Sequence, residues 1–168
     1  MALLAITQYP DPRLKTITKP VTVFDEKLKT LIQDMYETMY AKSGVGLAST
    51  QVGLDMQLFT MDCTDEGKSP RCFINAVILE KSGTHSSEEG CLSVPGDGLY
   101  AKVERAATVT IQYVTEDNVS KTETFSGLEA KCVQHEIDHL QGKLYIDCLK
   151  PFKRQLVLQK YTKQKKDK

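Results

Sequence analysis

The 168-residue sequence predicts an α+β fold, with antiparallel β-sheets packed around one central helix and a flanking helix near each end. Three observations predict it. Segments 102–115 and 119–125 alternate apolar and polar residues like a hairpin, and lead straight into 126–141. That stretch is spaced as a helix and is apolar on most of its circumference, as a buried helix is. Amphipathic helical spacing then recurs near the two ends, over 25–43 and from 151 onward. No repeat, linker or second apolar unit interrupts the chain. Residues 1–168 therefore read as a single domain with a core of its own.

The lead-in, residues 9–20, carries prolines at 10, 12 and 20, which oppose regular helix and predict an extended strap over the surface. Asp25 opens the first helix. Leu28, Leu31, Ile32, Met35 and Met39 recur at helical spacing, and Gly44 is the expected stop. In Gly44-Val45-Gly46-Leu47-Ala48-Ser49-Thr50-Gln51, two glycines among small residues mean either a tight turn or a backbone lying close to something else. Residues 58–62 and 72–79 read as strands joined by a polar loop over 64–69. Residues 81–88 read as a loop with His85 exposed and idle, and Cys91 follows between Gly90 and a Pro95-Gly96 turn. Residues 102–115 read as one strand, turned at Glu116-Asp117-Asn118 and returning antiparallel. Ser126 with Glu129 fits a capping box, and Gly142 a stop. Residues 145–149 are a short apolar piece. Pro151 starts the last helix, with Phe152, Leu156 and Leu158 or Val157 expected to face inward.

Chemistry concentrates in Gln134-His135-Glu136-Ile137-Asp138-His139. Residues four apart share a helix face, so His135 and His139 can point two imidazoles at one metal ion. Glu136 lies ~60° around the helix from His139, beside such an ion, where a carboxylate can handle a proton of bound water. A catalytic metal site takes three protein ligands and keeps one position open. For the third, the residues leave open Cys91, Cys132 and the acidic side chains. Cys91 is favoured because Cys132 sits awkwardly three residues from His135 on the same helix.

Lys and Arg total 22 against 22 Asp and Glu, so no global field favours DNA or a membrane. The exception is the end of the chain, with lysines at 160, 163, 165, 166 and 168. It reads as a solvated helix end or a docking point for something anionic. The first ten residues lack the basic region of a signal peptide, and no window approaches ~18 apolar residues. The expected location is cytoplasmic. Five cysteines without paired spacing are expected as reduced thiols.

Residues 44–51, Glu89-Gly90-Cys91-Leu92-Ser93 and residues 134–139, in that order and spacing, resemble the three motifs of peptide deformylase in its bacterial form. The resemblance runs from Pro10-Asp11 to Pro151. It implies Cys91, His135 and His139 as metal ligands, with water in the fourth position. It also implies Fe(2+) as the usual ion, replaceable by zinc, nickel or cobalt. The implied reaction removes the N-formyl group from the N-terminal formyl-methionine of new polypeptides and releases formate. Metal-bound hydroxide would attack the formyl carbon, Glu136 would move the protons, and the Gln51 amide with the Leu92 N–H would meet the oxyanion. Gly44, Val45 and Gly46 would receive the substrate backbone as an added strand. Leu128, Cys132 and His135 would take the methionine side chain, and Glu89 and Gly90 complete the implied substrate set. In the family the C-terminal helix can dock the ribosome, and lysines suit RNA phosphates.

Three departures stand out: Ser87 at an aliphatic pocket position, Ala76 for a proline, and Gly96-Asp97-Gly98 where an arginine is common. Two rivals remain. A zinc endopeptidase usually needs a further His or Glu downstream, and none follows His139. A structural site in a binding protein would need four protein ligands, for which Cys91, Cys132, His135 and His139 could serve.

Overall fold

The computed structural model describes residues 3–64, 66–67 and 69–166. The elements in order are α1 (Glu26–Ala41), β1 (Gly46–Ala48), β2 (Leu58–Met61), β3 (Arg71–Ser82), β4 (His85–Glu89) and β5 (Ala101–Arg105). Then come β6 (Thr108–Val114), β7 (Ser120–Ser126), α2 (Gly127–Leu140) and α3 (Pro151–Lys166). The α+β architecture is as the sequence predicts. One five-stranded antiparallel sheet has the order β1-β2-β3-β6-β7, and β4 and β5 form a separate pair.

Helix α2 is central. Ala130, Val133, Ile137 and Leu140 bury one stripe in a core with Phe59, Phe73, Ile111 and Phe125 from the large sheet. The other stripe carries His135, which lines the cleft described below, and His139, which is buried behind it. Helix α1 begins where Asp25 Oδ1 accepts the Leu28 N–H at 3.0 Å, which satisfies a first-turn donor. It buries Leu28, Ile32, Met35 and Met39 against Leu47, Leu58 and Ile74.

Several boundaries differ from the sequence expectation, each for a physical reason. Helix α1 stops at Ala41, and the left-handed residue that turns the chain is Ser43 at φ 56°, not Gly44. Gly44 has no positive φ, and a Cβ there would lie 3.1 Å from Leu92 Cδ1, a tight contact that a small shift of the leucine would have to relieve. The expected loop over 81–88 is largely strand. β3 runs to Ser82 and β4 begins at His85, with a turn at Gly83. Most of these side chains are exposed, so no apolar alternation marks them. The long strand expected over 102–115 is two strands in different sheets. Between them, Gln134 of α2 replaces the ladder: its Oε1 accepts the Ala106 N–H at 3.1 Å and its Nε2 donates to the Ala106 carbonyl at 2.9 Å.

Ser126 is the N-cap of α2, but its side chain makes no capping bond. Its Oγ instead lies 3.2 Å from Thr108 Oγ1, still within the β6–β7 pairing, and Gly127 at φ 63° turns strand into helix. Residues 145–148 form a short 3₁₀ turn. On α3, Phe152 is 72% exposed and Leu156 49%, so neither faces inward. Val157, Leu158 and Tyr161 do, packing with Leu14, Val94 and Leu99.

The lead-in is extended apart from a 3₁₀ turn at Pro12–Lys15 that buries Leu14. Residues 7–18 bond to the first two candidate motifs and to Leu140, the residue that follows the third. Thr7 N–H bonds to the Gln51 carbonyl at 2.6 Å, Tyr9 N–H to that of Ser93 at 2.8 Å, and Thr18 N–H to that of Leu140 at 2.9 Å.

Candidate metal centre

His135 and His139 stand one turn apart on α2, and their Nε2 atoms are 3.2 Å from each other. Cys91 comes from the loop after β4, in a tight turn closed by Val94 N–H to the Cys91 carbonyl at 3.0 Å. Its Sγ lies 3.4 Å from His139 Nε2. The three donor atoms all lie within 4.8 Å of one another, the one such group among the described residues. Two imidazole nitrogens and a sulfur converging on one point are a donor set for a single thiophilic cation. Cys132 is outside the group. Its thiol lies 3.8 Å from the Val45 carbonyl, so the four-ligand arrangement does not form.

The support behind His135 is buried. Glu89 Oε1 meets His135 Nδ1 at 2.9 Å, which leaves Nε2 free for a metal. Arg105 grips Glu89 with Nε at 2.6 Å and Nη2 at 2.9 Å, and reaches Asp138 with Nη1 at 2.8 Å. Burial alone would raise the Glu89 carboxyl. The hydrogen bonds of His135 and Arg105 outweigh it and hold the group down at about 2. A depressed folded pKa stabilises above the usual 4.5, and that stabilisation is lost as pH falls toward about 2. The Tm gap between the native protein and Glu89→Gln should therefore be widest above pH 4.5 and close toward pH 2. A gap independent of pH would contradict this reading of the Glu89 pairing.

Glu136 is 3% exposed and its Oε1 has no hydrogen-bond partner. Burial pushes its carboxyl up to about 7, and a cation at the donor cluster would draw it back down. Its Oε2 sits against Gly46: a Cβ there would fall 2.6 Å from Oε2 and 2.7 Å from Cys132 Sγ. The Gly46 region is thus a close backbone approach rather than a tight turn. His139 is fully buried with Nδ1 unpartnered, and burial keeps its pKa low, in the neutral form that a ligand needs.

Gln51 is buried on a 3₁₀ turn after β1. Its Oε1 accepts the Ala48 N–H at 3.0 Å. That turns Nε2 toward the donor cluster, 3.5 Å from Cys91 Sγ and 3.3 Å from Ser93 Oγ.

One cleft of about 470 Å³ is lined by every expected site residue except His139, which lies behind it. The sequence did not single out several contributors. Ser93, Arg105 and Asp138 buttress the site, and the Tyr145 ring lies 6.4 Å from that of His135 at 19°. Asp138 was visible within the histidine motif. Arg105, in a strand of mixed polarity, carried no signal. Ser87 does not line this cleft but a separate cavity of about 130 Å³ with His85 and Arg105. Lys131 lines both, and its Nζ donates to the Glu88 carbonyl at 2.6 Å.

A soft three-donor cluster, a buried carboxylate beside it and an open cleft, on an α+β frame, define a single-ion metallohydrolase. The chain belongs to the polypeptide deformylase family, whose model matches residues 3–155. It is 49% identical over 163 residues to peptide deformylase 1 of Shewanella oneidensis, covering 97% of this chain and 96% of that protein. It is 47% identical over 166 residues to a peptide deformylase of Neisseria meningitidis, covering 99% and 98%. The crystal structure of a peptide deformylase from Legionella pneumophila superposes with TM-score 0.92 at 44% identity, covering 98% of this chain and 96% of that one. A peptide deformylase from Ehrlichia chaffeensis in complex with actinonin gives 0.90 at 34%, covering 98% of each. The protein is a metal-dependent hydrolase that removes the N-formyl group from the N-terminal formyl-methionine of newly made polypeptides, releasing formate. The endopeptidase and structural-site readings give way to it. Among the described residues no helix is long and apolar enough to cross a membrane.

Proposed function

We propose that Cys91, His135 and His139 hold one Fe(2+) ion in this deformylase, with zinc, nickel or cobalt able to substitute, and that residues 1–168 act as a single catalytic domain. The observation that carries the reading is the convergence of three donor atoms within 4.8 Å beside the unpartnered Glu136 carboxylate. When bound, the ion supplies the Lewis acidity that makes water nucleophilic near neutral pH. Glu136 takes the water proton and later delivers it to the leaving amine. The Gln51 amide, already turned by Ala48, and the Leu92 N–H donate to the developing oxyanion.

Strand β1 is at the edge of the large sheet and lines the cleft, which suits a substrate backbone added along Gly44, Val45 and Gly46. Leu128, Cys132 and His135, with Glu89 and Gly90 alongside, receive the methionine side chain. Helix α3 carries Lys153, Arg154, Lys160, Lys163, Lys165 and Lys166 and no acidic residue, which supports docking to ribosomal RNA phosphates in the cytoplasm. Nothing in this set of partners calls for DNA or a membrane.

Formate release from a formyl-Met tripeptide tests the reading, using protein purified without oxygen and loaded with Fe(2+). The acetylated peptide is the control. Formate from the first and no cleavage of the second is the expected result; no formate with ion bound would overturn it. Gln51→Ala should lower kcat by about 10²–10³-fold, the usual effect of losing one oxyanion donor, with little change in KM. An unchanged kcat would remove Gln51 from the reaction.

A further inference from the structure

One rim of the cleft is the loop following Cys91, where Val94, Pro95, Gly96 and Leu99 line the cavity. The last turns of α3 hold this loop from outside. Gln164 brackets the backbone of one residue: its Oε1 accepts the Asp97 N–H at 2.9 Å, and its Nε2 donates to the Asp97 carbonyl at 2.7 Å. Lys160, about one turn earlier, donates from Nζ to the Gly98 carbonyl at 3.3 Å.

The two glycines of the loop show how closely helix and loop fit. A Cβ on Gly96 would collide with Gln164 Oε1 and with Leu99 Cδ1, and one on Gly98 would lie 2.6 Å from Lys160 Nζ. Both also have positive φ, 148° and 70°. Between the two polar side chains, buried Tyr161 packs with Val94 and Leu99 and donates from its hydroxyl to the Tyr9 carbonyl at 2.7 Å. The helix has turned Phe152 and Leu156 to solvent, so apolar burial alone does not place its end here.

We propose that Gln164, assisted by Lys160, is a positioning residue for deformylation. It fixes the rim at residues 96–98, so that the backbone downstream of the formyl-methionine is gripped between that rim and β1. This rests on the reading that substrate lies along β1. The formyl end sits at the donor cluster. Ser43 and Gly44 ahead of β1 line the same cleft as Pro95 and Gly96 of the rim, so a backbone laid along Gly44 to Gly46 shares that cleft with the rim. Gln164 is remote from the reacting atoms, so it acts on binding of the downstream residues and not on the chemical step.

Kinetics on Fe(2+)-loaded protein with two substrates, formyl-Met amide and a formyl-Met tetrapeptide, test this. Gln164→Ala should raise KM for the tetrapeptide by about 3–10-fold, the scale of two modest hydrogen bonds, and change kcat less than about twofold. KM for the amide, which has no downstream backbone, should stay within about twofold of the native value. Gln164→Glu keeps the acceptor for Asp97 N–H but loses the donor to its carbonyl, so its effect should fall between. An unchanged tetrapeptide KM in both variants, an equal rise for both substrates, or a kcat loss as large as the KM rise would each overturn the proposal. If the native protein releases no formate from either substrate, the proposed function fails instead, so the two failures are distinguishable.

Discussion

Glu136→Gln is expected to lower kcat by about 10²–10⁴-fold, the range for loss of a general acid–base, while one ion per chain stays bound. The side chain is isosteric, so the packing against Gly46 and Cys132 Sγ is preserved and no cavity opens. Glu136 is absent from the donor cluster of Cys91, His135 and His139, so removing its charge leaves all three donors in place. What is lost is the one carboxylate beside the cluster whose Oε1 is buried and uncommitted. Glu89, the other nearby carboxylate, is tied to Arg105 and His135 and cannot take over. Single-turnover rates with metal analysis on the same preparation decide the matter. A near-native rate with the ion retained would end the assigned role.

Cys91→Ala should go further and remove the ion itself, with kcat/KM falling by more than about 100-fold, the upper range for losing a residue that merely supports a ligand. The thiol is the only donor in the cluster that comes from outside α2. Without it two imidazoles remain, fewer than the three protein ligands of a catalytic site. The turn holding Cys91 is closed by backbone, through Val94 N–H, so its shape survives the substitution. Metal titration of native and variant protein is the check. Equal affinities would mean that Cys91 is not a ligand.

How much of this was legible in the sequence depended on the range of the force involved. The spacing of Leu28, Ile32, Met35 and Met39, and of Ala130, Val133, Ile137 and Leu140, reports local burial, and both helices lie where the periodicity put them. The break at Ala106 was invisible because its cause is the amide of Gln134, 28 residues away. On α3 the expectation holds for Val157 and Leu158 but not for Phe152 and Leu156, because Tyr161 and the polar contacts of Gln164 and Lys160 set the inward face of its second half. At the site, the helical spacing of His135 and His139 offered two donors. The third comes from a loop whose position only the tertiary fold decides, so the sequence alone leaves Cys91 and Cys132 both open. Gln51 and Leu92 follow from family resemblance alone, because nothing local in their stretches specifies what they face.

The lead-in strap has a consequence for how the chain is made. Residues 7, 9 and 18 bond in turn to residues 51, 93 and 140, the same order in which those partners are synthesised. A chain emerging amino end first therefore carries all three docking points before any of the three motifs has been translated. None of these three bonds requires a residue translated later than its own partner. The hydroxyl of Tyr161, which closes on the carbonyl of Tyr9, joins the strap later than any of these three partners.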